Sequence, residues 1–358
     1  MKIRCLELKN YRKYAEGHFE FGPNLNIICG NNAVGKSTLL EAIHYLVLLR
    51  SPKTHVDIEQ MSHSAEETVI KGVFYGEKTE KKPIVLISKY FKKMSLDRKL
   101  MKRSSDYVGF ADVVSFGTED VYALTSSPGD RRKMIDVFGS QYDPEYMGML
   151  RKFKNILKEK NAMLKQIDEW TNNDRLLFEV VNQKYYELAK ELTIKRKIII
   201  NKINELIKDI HYTISGQEEL CYLVYDSSVD RNLLSDNVND ITSKDLKLKI
   251  STVGPHRDDI WFYVNTENLT MYGSQGQKKT AVLSFKMTCV KMLSDAKNRK
   301  PIVLLDDVFG ELDSNRQNCL LKFVKNDIQT FITTPSLVDI DKKIIERANV
   351  IYLEKEEI

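Results

Sequence analysis

Several things that this chain of 358 residues lacks narrow what it can be. Long apolar runs are missing: stretches such as Ile198–Ile200 and Ile302–Leu305 fall far short of the ~20 residues a membrane-spanning helix needs. The opening residues, MKIRCLELKN, hold neither the apolar core nor the small-residue cleavage site of a signal peptide. The expectation is a cytoplasmic protein without a membrane partner. Cysteine is sparse. Cys5, Cys29, Cys221, Cys289 and Cys319 are odd in number, far apart and form no Cys-x-x-Cys pair, which argues against a disulfide framework or a cysteine zinc site. The six histidines show no His-x-x-x-His or His-Glu-x-x-His spacing, so a protein-ligated transition metal is not expected. Nor is there a large excess of one charge. With 55 Lys and Arg against 50 Asp and Glu, the net charge is +5. That permits nucleic-acid binding without requiring it, because a surface slightly richer in lysine gives the same figure.

What is present is the composition of a soluble globular protein, 42% hydrophobic and 29% charged, long enough for one large core or two lobes. Between Gly148 and Gly216 there is neither glycine nor proline, and Leu150, Phe153, Ile156, Leu157, Leu164 and Ile167 recur at helical spacing. A break at TNND (171–174) divides this stretch into two helices of about 25 and 35 residues, expected to form an antiparallel arm. The arm's many Lys and Arg residues read most simply as a solvated helix face. On its N-terminal side lie the strand-like KIRCLELKNYRKY, HFEF, LNIIC, TVIKGVFY, PIVLISKYF and VVSF; on its C-terminal side lie Ile260–Val264, IVLLDD, TFITT and VIYL. Helices are expected from about Lys36 to Leu49 and after Glu311. Strand–helix alternation at both ends of the chain, around a helical insertion, predicts one α/β lobe built from both ends. The expected divisions are 1–127, 128–235 and 236–358.

Two patterns carry chemistry. Gly30-Asn31-Asn32-Ala33-Val34-Gly35-Lys36-Ser37 fits G-x-x-x-x-G-K-[ST], between a buried strand and an amphipathic helix. The glycines let the backbone curl around an anion, and the loop amides and the helix N-terminus surround it with positive potential. Lys36 is placed to reach the β- and γ-phosphates of a nucleotide, and the Ser37 hydroxyl to hold Mg²⁺. Ile302–Leu305 followed by Asp306 and Asp307 reads as a strand buried on both faces, with two carboxylates at the end where open α/β sheets bind ligands. Asp306 is the expected Mg²⁺ partner, and Asp307, pointing the other way, is the candidate to polarise the attacking water. A third pattern, Ser274-Gln275-Gly276-Gln277, heads a helix. Ser-x-x-Gln is a capping box, and a helix tip with Ser and Gly is also an anion site. Since the glycine loop already wraps one nucleotide in cis, this second tip is best used on a nucleotide held by another copy of the chain.

The order of these pieces, with LELKNYRKY, SSPGDRRKMID, VGPHRDD, SQGQKKTAVLSFK and PIVLLDDVFGELD, resembles the ABC-type ATPases of chromosome maintenance, the SMC-like group. Within that group it is closest to the bacterial RecF family of recombination mediators. The resemblance runs along nearly the whole chain. It implies a P-loop ABC-type ATPase lobe, similar to an SMC head, with an inserted α-helical arm. Gly30 to Ser37, with Thr38 beside it, would be the Walker A loop, Asp306 the Walker B residue and Asp307 the catalytic carboxylate. Ser274, Gly276 and Gln277 would form the signature facing a partner's γ-phosphate, and Glu311-Leu312-Asp313 the D-loop. The family implies ATP with Mg²⁺, an ATP-dependent homodimer, binding to double-stranded and gapped DNA, and slow hydrolysis that resets the complex. It also implies help in loading RecA at single-stranded gaps together with RecR and RecO. Some residues depart from the wider ABC pattern. Thr333-Thr334-Pro335 stands where transporters carry a histidine, Glu119-Asp120 is the candidate replacement for the Q-loop glutamine, and Lys278 replaces a frequent Gln. Basic clusters at 92–103 and at Arg131-Arg132-Lys133 are candidate phosphate contacts. GPHRDD reads as a turn with a local ion pair, or as residues near a dimer interface. The alternatives to a DNA clamp are an SMC-like ATPase subunit of a defence or nuclease system, and a transport ATPase.

Overall fold

The computed structural model describes the chain except for residues 55, 78, 217–218, 234–237, 298, 308–315, 318, 321–326, 339 and 355–358. The helix expected after Glu311 and the Glu311-Leu312-Asp313 segment lie outside the described residues. In chain order the elements are β1 (Lys2–Tyr11), β2 (Tyr14–Glu20), β3 (Leu25–Cys29), α1 (Lys36–Leu48), β4 (Glu67–Tyr75), β5 (Glu80–Lys81), β6 (Pro83–Ser88), β7 (Lys92–Leu96), β8 (Lys99–Leu100), α2 (Ser104–Tyr107) and β9 (Val113–Phe116). Then come α3 (Thr118–Thr125), α4 (Pro128–Tyr142), α5 (Pro144–Lys165), α6 (Asn172–Ser215), β10 (Cys221–Asp226), α7 (Ser228–Leu233), α8 (Val238–Leu248), β11 (Asp259–Val264) and β12 (Glu267–Asn268). The chain ends with α9 (Gln275–Lys297), β13 (Ile302–Leu305), β14 (Thr330–Thr334), α10 (Lys342–Ile345) and β15 (Asn349–Tyr352). The chain forms two compact units, residues 1–120 with 289–358, and residues 121–288.

The first unit holds a parallel sheet in the order β15-β3-β14-β13-β9. Its inner strands are buried on both faces, which is why β13 reads IVLL without alternation: all four residues are at most 1% exposed. An antiparallel sheet in the order β2-β1-β4-β6-β7-β8 alternates buried and exposed residues along β4, the pattern of a half-buried sheet. α1 packs against strands of both sheets. It is therefore apolar around most of its girth, with Leu39, Leu40, Ala42, Ile43, Leu46 and Val47 buried. Buried polar side chains join the two chain ends. Gln329, 1% exposed, donates to the carbonyls of Ile3 (2.7 Å) and Gly22 (2.8 Å) and accepts from the Ile3 amide (2.7 Å). Asp112, 2% exposed, pairs with Lys297 and Arg299, each at 2.7 Å.

The second unit is built on the helical arm. α5 and α6 run antiparallel: Lys195 of α6 meets Asp143 and Glu145 at the start of α5 (2.9 and 2.7 Å), while Lys160, near the end of α5, lies over the rings of Tyr185 and Tyr186. The helices span 22 and 44 residues, so the division comes earlier than TNND suggested. Thr171 is the N-cap of α6 and forms a capping box with Asp174; polar residues that read as a loop are a helix start. The strands β10 and β11 pair antiparallel from Cys221–Val264 to Asp226–Asp259, and α6 packs on β10 and α4 on β11. That pairing draws residues beyond 235 into the helical unit, which divides from the first after Thr288.

GPHRDD works inside this unit. Gly254 has φ +148°, and a Cβ there would lie 2.1 Å from the Tyr185 hydroxyl, so the turn requires glycine. Asp258 accepts from Arg196 of α6 (3.0 Å) and from the Ser228 amide (2.8 Å). Asp259 takes both arms of Arg131 of α4 (2.8 and 2.7 Å). The ion pairs are thus long-range, not local. They also argue against Arg131 and Arg132 as phosphate contacts: Arg131 is 2% exposed, and Arg132 donates to the Asp258 carbonyl.

His256 is largely enclosed, with Nε2 donating to the Ser251 carbonyl at 3.1 Å. Burial pushes its pKa down from 6.5 to about 4. The unfolded chain takes up this proton below about pH 6.5 and the folded one only near 4, so stability is full above 6.5 and falls as pH drops toward 4. Urea unfolding at a series of pH values should show a loss of up to about 1.4 kcal/mol per pH unit in that window. His256→Gln should remove this part of the slope; an unchanged slope would contradict it.

Candidate nucleotide-binding site

The glycine loop leaves β3 at Cys29 and enters α1 at Lys36. Its shape depends on two glycines. A Cβ on Gly30 would sit 2.4 Å from the Leu353 carbonyl oxygen, and one on Gly35, whose φ is +112°, would sit 2.7 Å from the Tyr14 hydroxyl. The turn between β1 and β2 braces the loop from outside. Lys13 Nζ donates to the Ala33 carbonyl (2.7 Å) and the Tyr14 hydroxyl to the Gly35 carbonyl (3.1 Å). Asn31, Asn32 and Ala33 are exposed, Val34, Ser37 and Thr38 half-buried, and Gly35 and Lys36 buried. The Lys36 ammonium folds back on its own loop, donating to the carbonyls of Gly30 (2.7 Å) and Asn31 (3.0 Å).

Asp306 follows the last residue of β13 and meets the head of α1. Its Oδ1 accepts from Ser37 Oγ at 2.8 Å and from Thr333 Oγ1 at 2.9 Å. The ammonium of Lys53 lies 3.6 Å from Asp306 Oδ2 and 3.6 Å from Glu119 Oε1. Ser37, Lys53, Glu119, Asp120 and Asp306 line one cleft of the first unit. Asp307 lies past the strand end. Its backbone is left-handed, φ 54°, so the alternation of β13, which ends at Leu305, does not extend to it. Its amide donates to Thr333 Oγ1 (2.8 Å), and the residue is exposed.

These residues fit a nucleotide with a hard divalent cation. The loop is sculpted for an anion, with no room for side chains where it turns, and a helix N-terminus opens behind it. The carboxylates of Asp306 and Glu119 converge on a positive group, at present the Lys53 ammonium. Among the described residues no cluster of three His, Cys, Asp or Glu could ligate a metal. Mg²⁺ matches such a sparse donor set, because it commonly takes one or two protein oxygens and completes its shell with water and phosphate.

Ser274 lies in the second unit, at the N-cap of α9. Its Oγ accepts from the Gln277 amide (3.2 Å), and its own amide donates to Gln277 Oε1 (3.0 Å). This is a reciprocal capping box. Ser274, Gln275 and Gly276 are exposed. Two residues that contact Asp306, Thr333 and Lys53, belong to none of the sequence motifs that carry chemistry. The sequence marks Thr333 only as standing where transporters carry a histidine, although a threonine near the C-terminal end of an apolar strand is a usable signal. Lys53, just after α1, belongs to no motif.

A protein-family model described as an AAA domain matches residues 5–211. The chain is 36% identical to the DNA replication and repair protein RecF of Staphylococcus carnosus (strain TM300), with all of both chains covered. It is 35% identical to the protein of the same name from Staphylococcus haemolyticus (strain JCSC1435), again with full coverage. Solved structures of the recombination mediator protein RecF in the RecFOR pathway, with ATP and with ATPrS, match at TM-scores of 0.85 and 0.84 and 29% identity. They cover 95% of this chain and 93% and 94% of theirs. An Smc head domain matches at TM-score 0.55 and 16% identity, over 99% of this chain and 94% of its own, a likeness of fold alone.

Thr333 generates a test. Thr333→Val keeps the volume but removes the hydroxyl between Asp306 and the Asp307 amide. ATP turnover should fall roughly tenfold, the effect of losing one hydrogen bond to a charged group, with ATP affinity little changed. Thr333→Ser should restore turnover. Turnover equal to wild type in the valine variant would remove Thr333 from the site.

Proposed function

Because the chain belongs to the RecF family, whose solved members hold ATP in this fold, we propose that it is an ATP-dependent DNA-binding protein of recombinational repair and replication restart. It dimerises on ATP, binds duplex or gapped DNA and, with RecR and RecO, helps to load RecA at single-stranded gaps. Slow, DNA-stimulated hydrolysis resets it. The observation that carries this reading is the 2.8 Å contact between Ser37 and Asp306, beside a loop whose lysine is bound to the loop's own carbonyls, in a chain that matches RecF proteins from end to end.

The residues have separable tasks. Lys36 exchanges the Gly30 and Asn31 carbonyls for the β- and γ-phosphate oxygens of ATP. Gly30 to Thr38 supply the backbone cradle. Ser37 and Asp306 would hold Mg²⁺, which supplies charge neutralisation at the phosphates. Thr333 keeps the Asp306 carboxylate turned toward Ser37. Asp307 orients and polarises the attacking water. Ser274, Gly276 and Gln277 meet the γ-phosphate of ATP held by a second copy, so that nucleotide joins two chains and its hydrolysis releases them.

Sedimentation with and without ATP tests this division. Lys36→Met should lose both ATP binding and the ATP-dependent size shift. Ser274→Arg should still bind ATP as a monomer but fail to dimerise. Ser274→Asp keeps an N-cap while facing phosphate with a negative charge, and it too should remain monomeric. An aspartate variant that dimerises like wild type would reduce Ser274 to a capping residue.

A further inference from the structure

The basic cluster at 92–103 does not form one patch in the fold. The Lys92 ammonium is committed internally, 3.0 Å from Asp57 Oδ2, 3.0 Å from the Tyr45 hydroxyl and 3.2 Å from the Leu49 carbonyl. Arg98 sits in the turn at the far end of β7, where Asp97 and Arg98 both have positive φ. At the near end is the tip of the β6–β7 hairpin, Ser88-Lys89-Tyr90-Phe91. The Ser88 hydroxyl accepts from the amides of Tyr90 (3.2 Å) and Phe91 (3.1 Å), and the Ser88 amide donates to the Phe91 carbonyl (2.9 Å). The apex is therefore pinned, and its ring is held out from the surface. Tyr90 is 92% exposed, more than any other large hydrophobic residue described. Lys93 stands 4.7 Å from the centre of the Phe91 ring, and Lys89 and Lys93 are both exposed.

A turn apex favours Asn, Asp or Gly, and a ring held in water there contributes nothing to the core. A single exposed ring needs no explanation; one carried on a pinned turn, with Lys89 next to it in the chain and Lys93 over the adjacent Phe91 ring, matches the chemistry that receives a nucleotide strand, an aromatic face for a base and cations for its phosphates. The positive field is narrow. On the neighbouring strand Glu67 pairs with Ser88, and Glu66 and Glu67 are exposed. This favours the single row of phosphates of one strand over the two rails of a duplex.

We propose that the β6–β7 hairpin tip binds single-stranded DNA, Tyr90 stacking on an unpaired base while Lys89 and Lys93 meet the flanking phosphates. The proposal rests on the DNA-binding reading above and names where the exposed strand of a gap is held. The test is fluorescence anisotropy of labelled oligo-dT, gapped duplex and blunt duplex, titrated with wild type and variants at several salt concentrations. Tyr90→Ala should bind oligo-dT about tenfold more weakly with blunt-duplex affinity unchanged. Tyr90→Trp should retain affinity, its emission quenched by the oligonucleotide. Lys89→Gln with Lys93→Gln should lower the slope of log K against log salt by about 1.4, two phosphates' worth on a single strand. If wild type binds DNA and Tyr90→Ala binds oligo-dT equally well, the tip proposal falls and the wider reading stands. A Tyr90→Ala variant that instead loses capture of RecR or RecO while keeping DNA would make the tip a protein contact and overturn it. Wild type that binds none of the three substrates sinks the DNA reading and this proposal with it.

Discussion

Parallel pairing of β9, β13, β14 and β3 is the constraint on which the nucleotide site depends. In a parallel sheet all strands end on one edge, and side chains just past those ends are gathered whatever their distance in sequence. The glycine loop leaves β3, Asp306 leaves β13, Thr333 is the penultimate residue of β14 and Glu119 follows β9. Ser37 and Asp306 are 269 residues apart in the chain and 2.8 Å apart in space. No local interaction brings them together. The ladder does, and the ladder closes only when strands from both chain ends have joined it.

Each unit secures its distant segments with buried polar groups. Gln329 and Asp112 tie the C-terminal segment to the N-terminal one in the first unit. In the second, Arg131, Arg196 and Lys160 are paired with Asp259, Asp258 and Asp245. Breaking one member of such a pair is costly because the other is left charged and dry, whereas the intact pair adds little net stability. These contacts are better understood as fixing which segments meet than as the source of stability, which comes from the apolar faces of α1, α5, α6 and the sheets.

Where the chemistry is written locally, the sequence was readable. The glycine loop, the IVLL strand with its two aspartates, VVSF and the Ser-x-x-Gln cap each declare themselves within about ten residues. Where the partner is remote, it was not. GPHRDD read as a turn with a local ion pair because its arginine partners lie on α4 and α6. The lysines of the arm read as solvated, yet Lys160 is 0% exposed. The signal was present: Lys160 falls in step with Ile156 and Leu164 on the apolar stripe of α5, and a charge in phase with a buried face implies a buried counter-charge. Lys53 had no such phase to betray it.

In the proposed dimer, one working site takes its glycine loop from one chain and its serine-led helix tip from another. Mixing Lys36→Met chains with Ser274→Arg chains tests it most directly, by measuring ATP turnover of the mixture against each variant alone. Recovery on mixing is expected, since a mixed dimer holds one site with an intact lysine from one chain and an intact serine from the other. A mixture as inactive as its components would contradict it, placing both elements around the same ligand in a single chain.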